Sequence, residues 1–267
     1  MDVTPDFVRI AVETRAPAAP RRVRIVMPLA GPDAEAKAFA LTPNGEPTWH
    51  AVVRNLLPAD AALRRGAEVH LIVHEALRAR FDAAPLAGVN LHSTRGGAGP
   101  LATVLELRAL LNDEAPLMIA NADQFLDFDR GVDLFFRAAF HPAYDGAVST
   151  FYNPDPADLR WSYMTVSAAG LLMSIKEKTF VGPYATTGVY TWAAARVFLR
   201  YADAVLRDAA PVGGRFYVAQ VYAQAVAEGL RFRNIPCERI YKLGDAAARA
   251  EFRARAPTGR AAGAPHE

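Results

Sequence analysis

The chain is nearly devoid of cysteine: Cys237 is the only one in 267 residues. No intrachain disulfide can form, and nothing argues for an oxidising compartment. No apolar run is long enough to span a bilayer. Residues 1–22 carry Asp2, Asp6 and Glu13 among their arginines, without the apolar stretch of a signal peptide. The expectation is a soluble, cytoplasmic protein with no membrane association. An excess of one charge is missing too, since 30 basic against 28 acidic residues leave a formal net charge of +2. No global field draws nucleic acid, and no nucleic-acid partner is expected. The six histidines lack metal-ligand spacing; His70 and His74 would share one face of a strand about 13 Å apart, too far for one ion. Ser149 and Ser162 have no neighbouring histidine, which leaves a serine hydrolase unsupported.

What is present is apolar: 52% of the residues are hydrophobic, enough for a sizeable core. The pattern divides the chain into residues 1–22, an extension and linker; 23–255, the folded body; and 256–267, a tail expected to be disordered. Residues 7–12 alternate like an edge strand, and the Ala/Pro stretch 16–20 reads as a stiff linker. Short apolar runs at 23–29, 69–74, 88–91 and 116–120 read as buried parallel strands. Helical spacing falls between them at 48–57, 75–81 and 101–111. Strands alternating with helices imply an α/β fold with a mostly parallel sheet covered on both faces. The second half changes character. Strands are expected at 147–152, 161–166, 171–175 and 187–192, the second and third forming a hairpin around 167–170. Helices follow at 193–206 and 216–227, short strands at 231–235 and 239–242, and a last helix at 245–255.

Three segments carry candidate chemistry. Pro28-Leu29-Ala30-Gly31 ends the first body strand with a glycine, where backbone amides can face phosphates; most such turns are only turns. Ile119-Ala120-Asn121-Ala122-Asp123-Gln124 puts an acid at the carboxyl end of a central strand, where open α/β sheets bind ligands. Asp123 is a candidate for Mg²⁺, which binds one or two carboxylates beside a triphosphate, or it caps the following turn. Asp127 and Asp129 read as solvated turn residues or a cap for the helix at 130–140. Ile175-Lys176-Glu177-Lys178, with Thr186-Thr187-Gly188-Val189-Tyr190, offers Glu177 for substrate hydroxyls and Lys178 for a phosphate; the alternative is a solvated Glu–Lys pair. Phe151, Tyr152, Trp161 and Tyr163 either wall an acceptor pocket or pack the second-half hairpins.

The order of these pieces resembles the sugar-nucleotidyltransferase family, that is, nucleotide-sugar pyrophosphorylases and related cytidylyltransferases. The resemblance also draws on Gly99-Pro100-Leu101-Ala102-Thr103-Val104-Leu105, Asn121-Ala122-Asp123-Gln124-Phe125-Leu126-Asp127, Trp161-Ser162-Tyr163, Phe216-Tyr217-Val218-Ala219-Gln220-Val221-Tyr222 and Tyr241-Lys242-Leu243-Gly244. It runs from about Val23 to Phe252 and is nearest to nucleotidyltransferases of capsule and surface-polysaccharide clusters. It implies a Rossmann-like, GT-A-like domain with a mixed, mostly parallel central sheet. It further implies that Ala30 and Gly31 lie against the nucleotide, Gly99 bounds the base and Asp123 holds Mg²⁺. Glu177 would bind the acceptor, Lys178 its phosphate, and Gly188 would leave room beside it. The implied substrates are a nucleoside triphosphate and a small phosphorylated acceptor, and an oligomer is compatible with the family.

The sequence departs from the family pattern at the first loop. Gly31-Pro32-Asp33-Ala34-Glu35-Ala36-Lys37 has no arginine, brings in two acids, and offers Lys37 as its nearby cation. Residues 41–47 have no lysine before a proline, and Arg215 stands where the family has a glutamate. Asp245 is a second metal ligand or the N-cap of the last helix. Two outcomes stay open: Lys37, Arg95 or another cation serves the leaving pyrophosphate, or the chain binds nucleotide or sugar without turnover. A nucleotide-sugar-dependent glycosyltransferase is disfavoured, because only one acid stands in Asn121-Ala122-Asp123.

Overall fold

A computed structural model describes residues 22–31, 33–42, 44–128, 131–243 and 245–255. The expected edge strand at 7–12, the linker at 16–20, Pro32, Asp129 and the tail at 256–267 lie outside the described residues. The first half runs β1 (Val23–Leu29), α1 (Ala34–Phe39), α2 (Thr48–Leu56), α3 (Ala61–Gly66), β2 (Ala67–His74), α4 (Arg78–Ala83), β3 (Val89–Thr94), α5 (Pro100–Leu105), α6 (Arg108–Leu111), β4 (Leu117–Ala120) and β5 (Gln124–Asp127). The second half runs α7 (Val132–Ala139), β6 (Gly146–Tyr152), β7 (Ser162–Val166), β8 (Leu172–Glu177), β9 (Tyr184–Trp192), α8 (Ala195–Asp208), α9 (Val218–Ala227), β10 (Phe232–Pro236), β11 (Arg239–Lys242) and α10 (Ala246–Arg255).

The central sheet has nine strands in the order β10-β6-β9-β4-β1-β2-β3, with the β7–β8 hairpin attached through β7 to β9. β1 pairs in parallel with β2 and β4, β2 with β3, and β6 with β10. β9 runs against all three of its partners, β4, β6 and β7, which makes the sheet mixed. The α/β expectation therefore holds. β1 explains why: Val23, Ile25, Val26, Met27 and Leu29 are all buried, as in a strand covered on both faces. Met27 and Leu71 pack with Trp49, Val52 and Phe81 on one side. Val26 and Ile72 pack with Phe198, Val221 and Tyr222 on the other. Trp192 anchors the second layer, its ring 4.7 Å from Phe232 and 4.9 Å from Tyr222.

Several elements differ from expectation for local reasons. The helix expected over 101–111 breaks into α5 and α6; at the break, Glu106 turns its carboxylate to the Thr94 hydroxyl (2.5 Å). Asp127 is an exposed strand residue in β5, not a turn residue. Helix α7 has Gly131 as its N-cap and no side-chain cap, so the cap expected of Asp127 is not made. The neighbour of His70 is not His74 but His92 on the adjacent strand, 3.1 Å from Nδ1 to Nε2. The Cys237 thiol is buried and pushed up to about 12 by that burial, an inert side chain.

One topological detail positions the site. β9 pairs with β7 at Ala185 and Tyr184, then with β4 from Val189 onward. Between these partners lie Thr186, Thr187 and Gly188, and β4 has already ended at Ala120. The gap opens at the carboxyl ends of β1 and β4, where a parallel sheet leaves a crevice.

Candidate active site

A cleft of about 470 Å³ occupies that gap. Ala30, Gly31, Lys37, Gly99, Asp123, Glu177, Lys178 and Gly188 all line it. Residues far apart in sequence are thus brought together by the sheet: the β1 turn and α1, the start of α5, the β4 end, and the β7–β8–β9 wall.

The floor is set by close backbone contacts. The Asn121 amide donates to the Gly188 carbonyl (3.2 Å). Gly188 has φ +79°, and a Cβ there would lie 2.1 Å from Asn121 Nδ2. Only glycine suits that position, on both conformation and space. Gly99 is similar: φ is +103°, and a Cβ would meet the Phe216 carbonyl oxygen at 2.6 Å. The Phe216 amide donates to Ala98 and the Leu101 amide to Phe216, so the loop before α9 is laced to the N-terminus of α5.

On one side of the cleft, Lys37 Nζ is 3.3 Å from Asp123 Oδ2. Lys242, the last residue of β11, joins them. The antiparallel β5–β11 pair sets Lys242 opposite Gln124, and the Leu243 amide donates to the Asp123 carbonyl (2.9 Å). Lys242 Nζ lies 3.9 Å above the Trp161 ring. Its pKa is lowered by burial, with the Asp123 carboxylate acting in the opposite direction.

On the other side, Glu177 accepts a hydrogen bond from the Ser162 hydroxyl. Burial raises the Glu177 pKa, while Ser162 and Lys178 oppose that rise. Below it the buried Tyr190 hydroxyl shares a 2.9 Å hydrogen bond with Thr186 and is pushed up to about 12 by desolvation and by Glu177. Lys178 is the one non-glycine with positive φ (51°) among the described residues. Its amide donates to the Trp161 carbonyl (3.0 Å), and its Nζ lies 5.3 Å over the Tyr217 ring. A bulky residue held in the left-handed region costs about 1 kcal/mol and persists only where the surroundings fix it. The Lys178 backbone is therefore fixed in the cleft wall, with Lys178 itself exposed and Glu177 half-buried beside it.

The remaining candidates divide. Arg95 is 87% exposed, pairs with Glu75 and does not line the cleft. Asp245 caps α10 through the Ala247 and Ala248 amides (2.7 and 3.2 Å) and also lies off the cleft. Asp33 does line it. Trp161 belongs to the cleft wall, while Tyr163 is fully buried behind it. Sequence reasoning missed Arg160, Arg215 and Lys242 as cleft cations. In the sequence Arg215 stands out only as a departure from the family pattern, and Lys242 only as part of a motif. Among the described residues no three of His, Cys, Asp and Glu gather to hold a metal. Mg²⁺ carried by a triphosphate needs only one or two protein carboxylates. Asp123, which faces the cleft and already attracts an ammonium group, fits that partial set.

No protein-family model matches the chain, and no curated protein matches its sequence. Solved structures do match. A nucleoside-diphosphate-sugar pyrophosphorylase from Vibrio cholerae superimposes with a TM-score of 0.68 at 19% identity, covering 86% of this chain and 100% of that one. The fold is that of the nucleotide-sugar pyrophosphorylases. A UDP-glucose pyrophosphorylase complexed with UDP-glucose matches with TM-score 0.66 at 12% identity, over 87% of this chain and 97% of that one. The inositol-1-phosphate CTP transferase from T. maritima matches with TM-score 0.64 at 12% identity, over 86% and 92%. Among the described residues no helix is long and apolar enough to cross a membrane.

Proposed function

We propose that the protein is a nucleotidyltransferase that joins a nucleoside triphosphate to a sugar phosphate or similar small phosphate, releasing pyrophosphate. The observation that carries this reading is the convergence of Ala30, Gly31, Lys37, Gly99, Asp123, Glu177, Lys178 and Gly188 on one cleft. The named activities of the structural neighbours, two sugar-nucleotide pyrophosphorylases and an inositol-phosphate CTP transferase, support it. We assign it to precursor synthesis for a surface polysaccharide, in the cytoplasm.

In the reaction, an acceptor phosphate oxygen attacks the α-phosphorus, the bond to the bridging oxygen breaks, and pyrophosphate leaves with that electron pair. No proton need move, so catalysis is positioning and charge neutralisation. Gly31, where a Cβ would meet nothing, lets the nucleotide approach the backbone closely, and Gly99, set against Phe216, bounds the base. Glu177, held by Ser162, takes acceptor hydroxyls, and Lys178 takes the acceptor phosphate. Asp123 would hold Mg²⁺, which neutralises the triphosphate when bound. Lys37 stands on the side of the leaving pyrophosphate.

A second reading has its own observation. Asp33 lines the cleft beside Gly31 and repels a triphosphate, as expected of a nucleotide- or sugar-binding protein without turnover. Pyrophosphate release separates the two. It is measured with Mg²⁺ across the ribonucleoside triphosphates and thymidine triphosphate, against a panel of sugar phosphates. Release that requires one acceptor and disappears in Asp123→Ala supports the transferase. Silence from folded protein across the panel favours the binder.

A further inference from the structure

Three cleft cations, Arg160, Arg215 and Lys242, have no place in the reading above. Arg160 is engaged with both carboxylate oxygens of Asp158 (2.6 and 2.8 Å) and is 70% exposed. Arg215 is exposed on the turn following Gly213 and Gly214. Lys242 differs from both. Its backbone is fixed by β5–β11 pairing and by the Leu243–Asp123 hydrogen bond. Its ammonium rests on Trp161, a ring anchored by Nε1 donating to Asp158 (2.9 Å) and by an edge contact with Phe151 at 4.8 Å.

The charge arrangement around Lys242 is unbalanced. Asp123 and Asp158 are the acids that act on it, and both carboxylates are already paired, Asp123 with Lys37 at 3.3 Å and Asp158 with Arg160 at 2.6 Å. Among the described residues no side chain accepts a hydrogen bond from Lys242 Nζ or pairs with it within 4.0 Å. A partly buried ammonium with unspent N–H donors is unfavourable unless an anion completes it. The attraction for such an anion is stronger away from bulk water. Trp161 also ties this ammonium to the other side of the cleft. Its ring carries Lys242, while its carbonyl receives the Lys178 amide. Lys242 therefore stands between the Asp123 side of the cleft and the Glu177–Lys178 side.

We propose that Lys242 is a phosphate-binding residue that gives the cleft affinity for a polyphosphate chain independently of a divalent cation. The proposal rests on reading the cleft as a triphosphate site. It adds that protein ammonium groups supply part of the neutralisation that the arginine-free first loop does not.

The test is calorimetric binding of inorganic pyrophosphate to the full chain, once in EDTA and once in Mg²⁺. Lys242→Met keeps a chain able to pack on Trp161 without the charge, and Lys242→Arg keeps the charge. Thermal unfolding checks that each variant is folded. The wild type is expected to bind in EDTA, the Met variant to bind about tenfold more weakly or worse, and the Arg variant to recover most of the affinity. Wild-type binding in Mg²⁺ alone, or a Met variant as tight as the wild type, overturns the proposal and leaves the transferase reading standing. Binding in neither buffer overturns the proposal together with the phosphate site. Lysine-dependent binding without pyrophosphate release in any assay supports the proposal and removes the transferase.

Discussion

The two walls of the cleft are built differently. The Asp123 wall is loose: Lys37 is 39% exposed on a short helix with no side-chain cap, and reaches Asp123 through a single ion pair. The Glu177 wall is tight: Glu177 is held by Ser162, Lys178 is locked at positive φ, and Gly188 is pressed against Asn121. The contrast teaches where change is tolerated. Side chains on the loose wall are expected to exchange with little effect on the fold, and that wall holds the arginine-free first loop. On the tight wall the residues proposed for recognition are also held by packing and hydrogen bonds.

Breaking the tight wall has the largest expected effect. Gly188→Ala forces a left-handed φ on alanine and a clash with Asn121, costing about 2 to 4 kcal/mol of stability. Chemical denaturation measures this, and acceptor-dependent turnover is lost with it. The clash falls on both sides of the gap, so a compensating Asn121→Gly is expected to recover part of the stability.

Acid is expected to weaken the fold through His70. Burial and His92 lower its pKa to about 4, from an ordinary 6.5. The unfolded chain therefore binds the proton more readily, and the stability held above pH 6.5 is lost as pH falls towards 4. The loss is at most about 3 kcal/mol. His70→Gln is expected to flatten that part of the stability profile; an unchanged profile contradicts the assignment.

Glu177 acts in the opposite sense. Its raised pKa means that the folded state holds the proton more tightly than the unfolded chain does. Stability from this group is full below the ordinary carboxylate value of 4.5 and is lost as pH rises through the raised one. Acceptor binding by the carboxylate has the reverse dependence and improves over the same window. Glu177→Gln should raise acceptor KM while removing both trends, read from KM against pH and from melting curves.

The smallest effect on stability is expected on the loose wall. Lys37→Met should cost less than about 1 kcal/mol, because its pair with Asp123 is partly exposed. Its turnover should nonetheless fall by about tenfold or more, if Lys37 serves the leaving pyrophosphate. A Lys37→Met variant that loses stability and keeps its rate inverts the comparison between the walls.

How legible each wall was follows from how local its determinants are. The strands that carry the chemistry announced themselves as apolar runs ending in Gly31, Asp123 and Glu177. The sheet then gathered Ala30, Gly31, Lys37, Gly99, Asp123, Glu177, Lys178 and Gly188 into one cleft and left Arg95 and Asp245 outside it. β5 escaped because four residues give too little pattern, and only its pairing with β11 makes it a strand. For the same reason Lys242 was read as part of a motif and not as a cleft cation. Helix α3 was within reach, since Asp60 caps it through the Ala62 and Leu63 amides at 2.9 Å, an acid directly before a helical run. Arg95 was a candidate on charge alone, and its exposure and its pairing with Glu75 take it out of the cleft. No reading of spacing reveals that Gly188 faces Asn121, because that contact exists only once β9 has turned from β7 to β4.

The most direct test of the account is to identify the product by mass spectrometry after incubation with a nucleoside triphosphate, Mg²⁺ and a sugar phosphate. The account predicts a nucleoside monophosphate joined to the acceptor phosphate, formed in equal amount with pyrophosphate. A nucleoside diphosphate with inorganic phosphate, or unaltered substrates bound to folded protein, would contradict it.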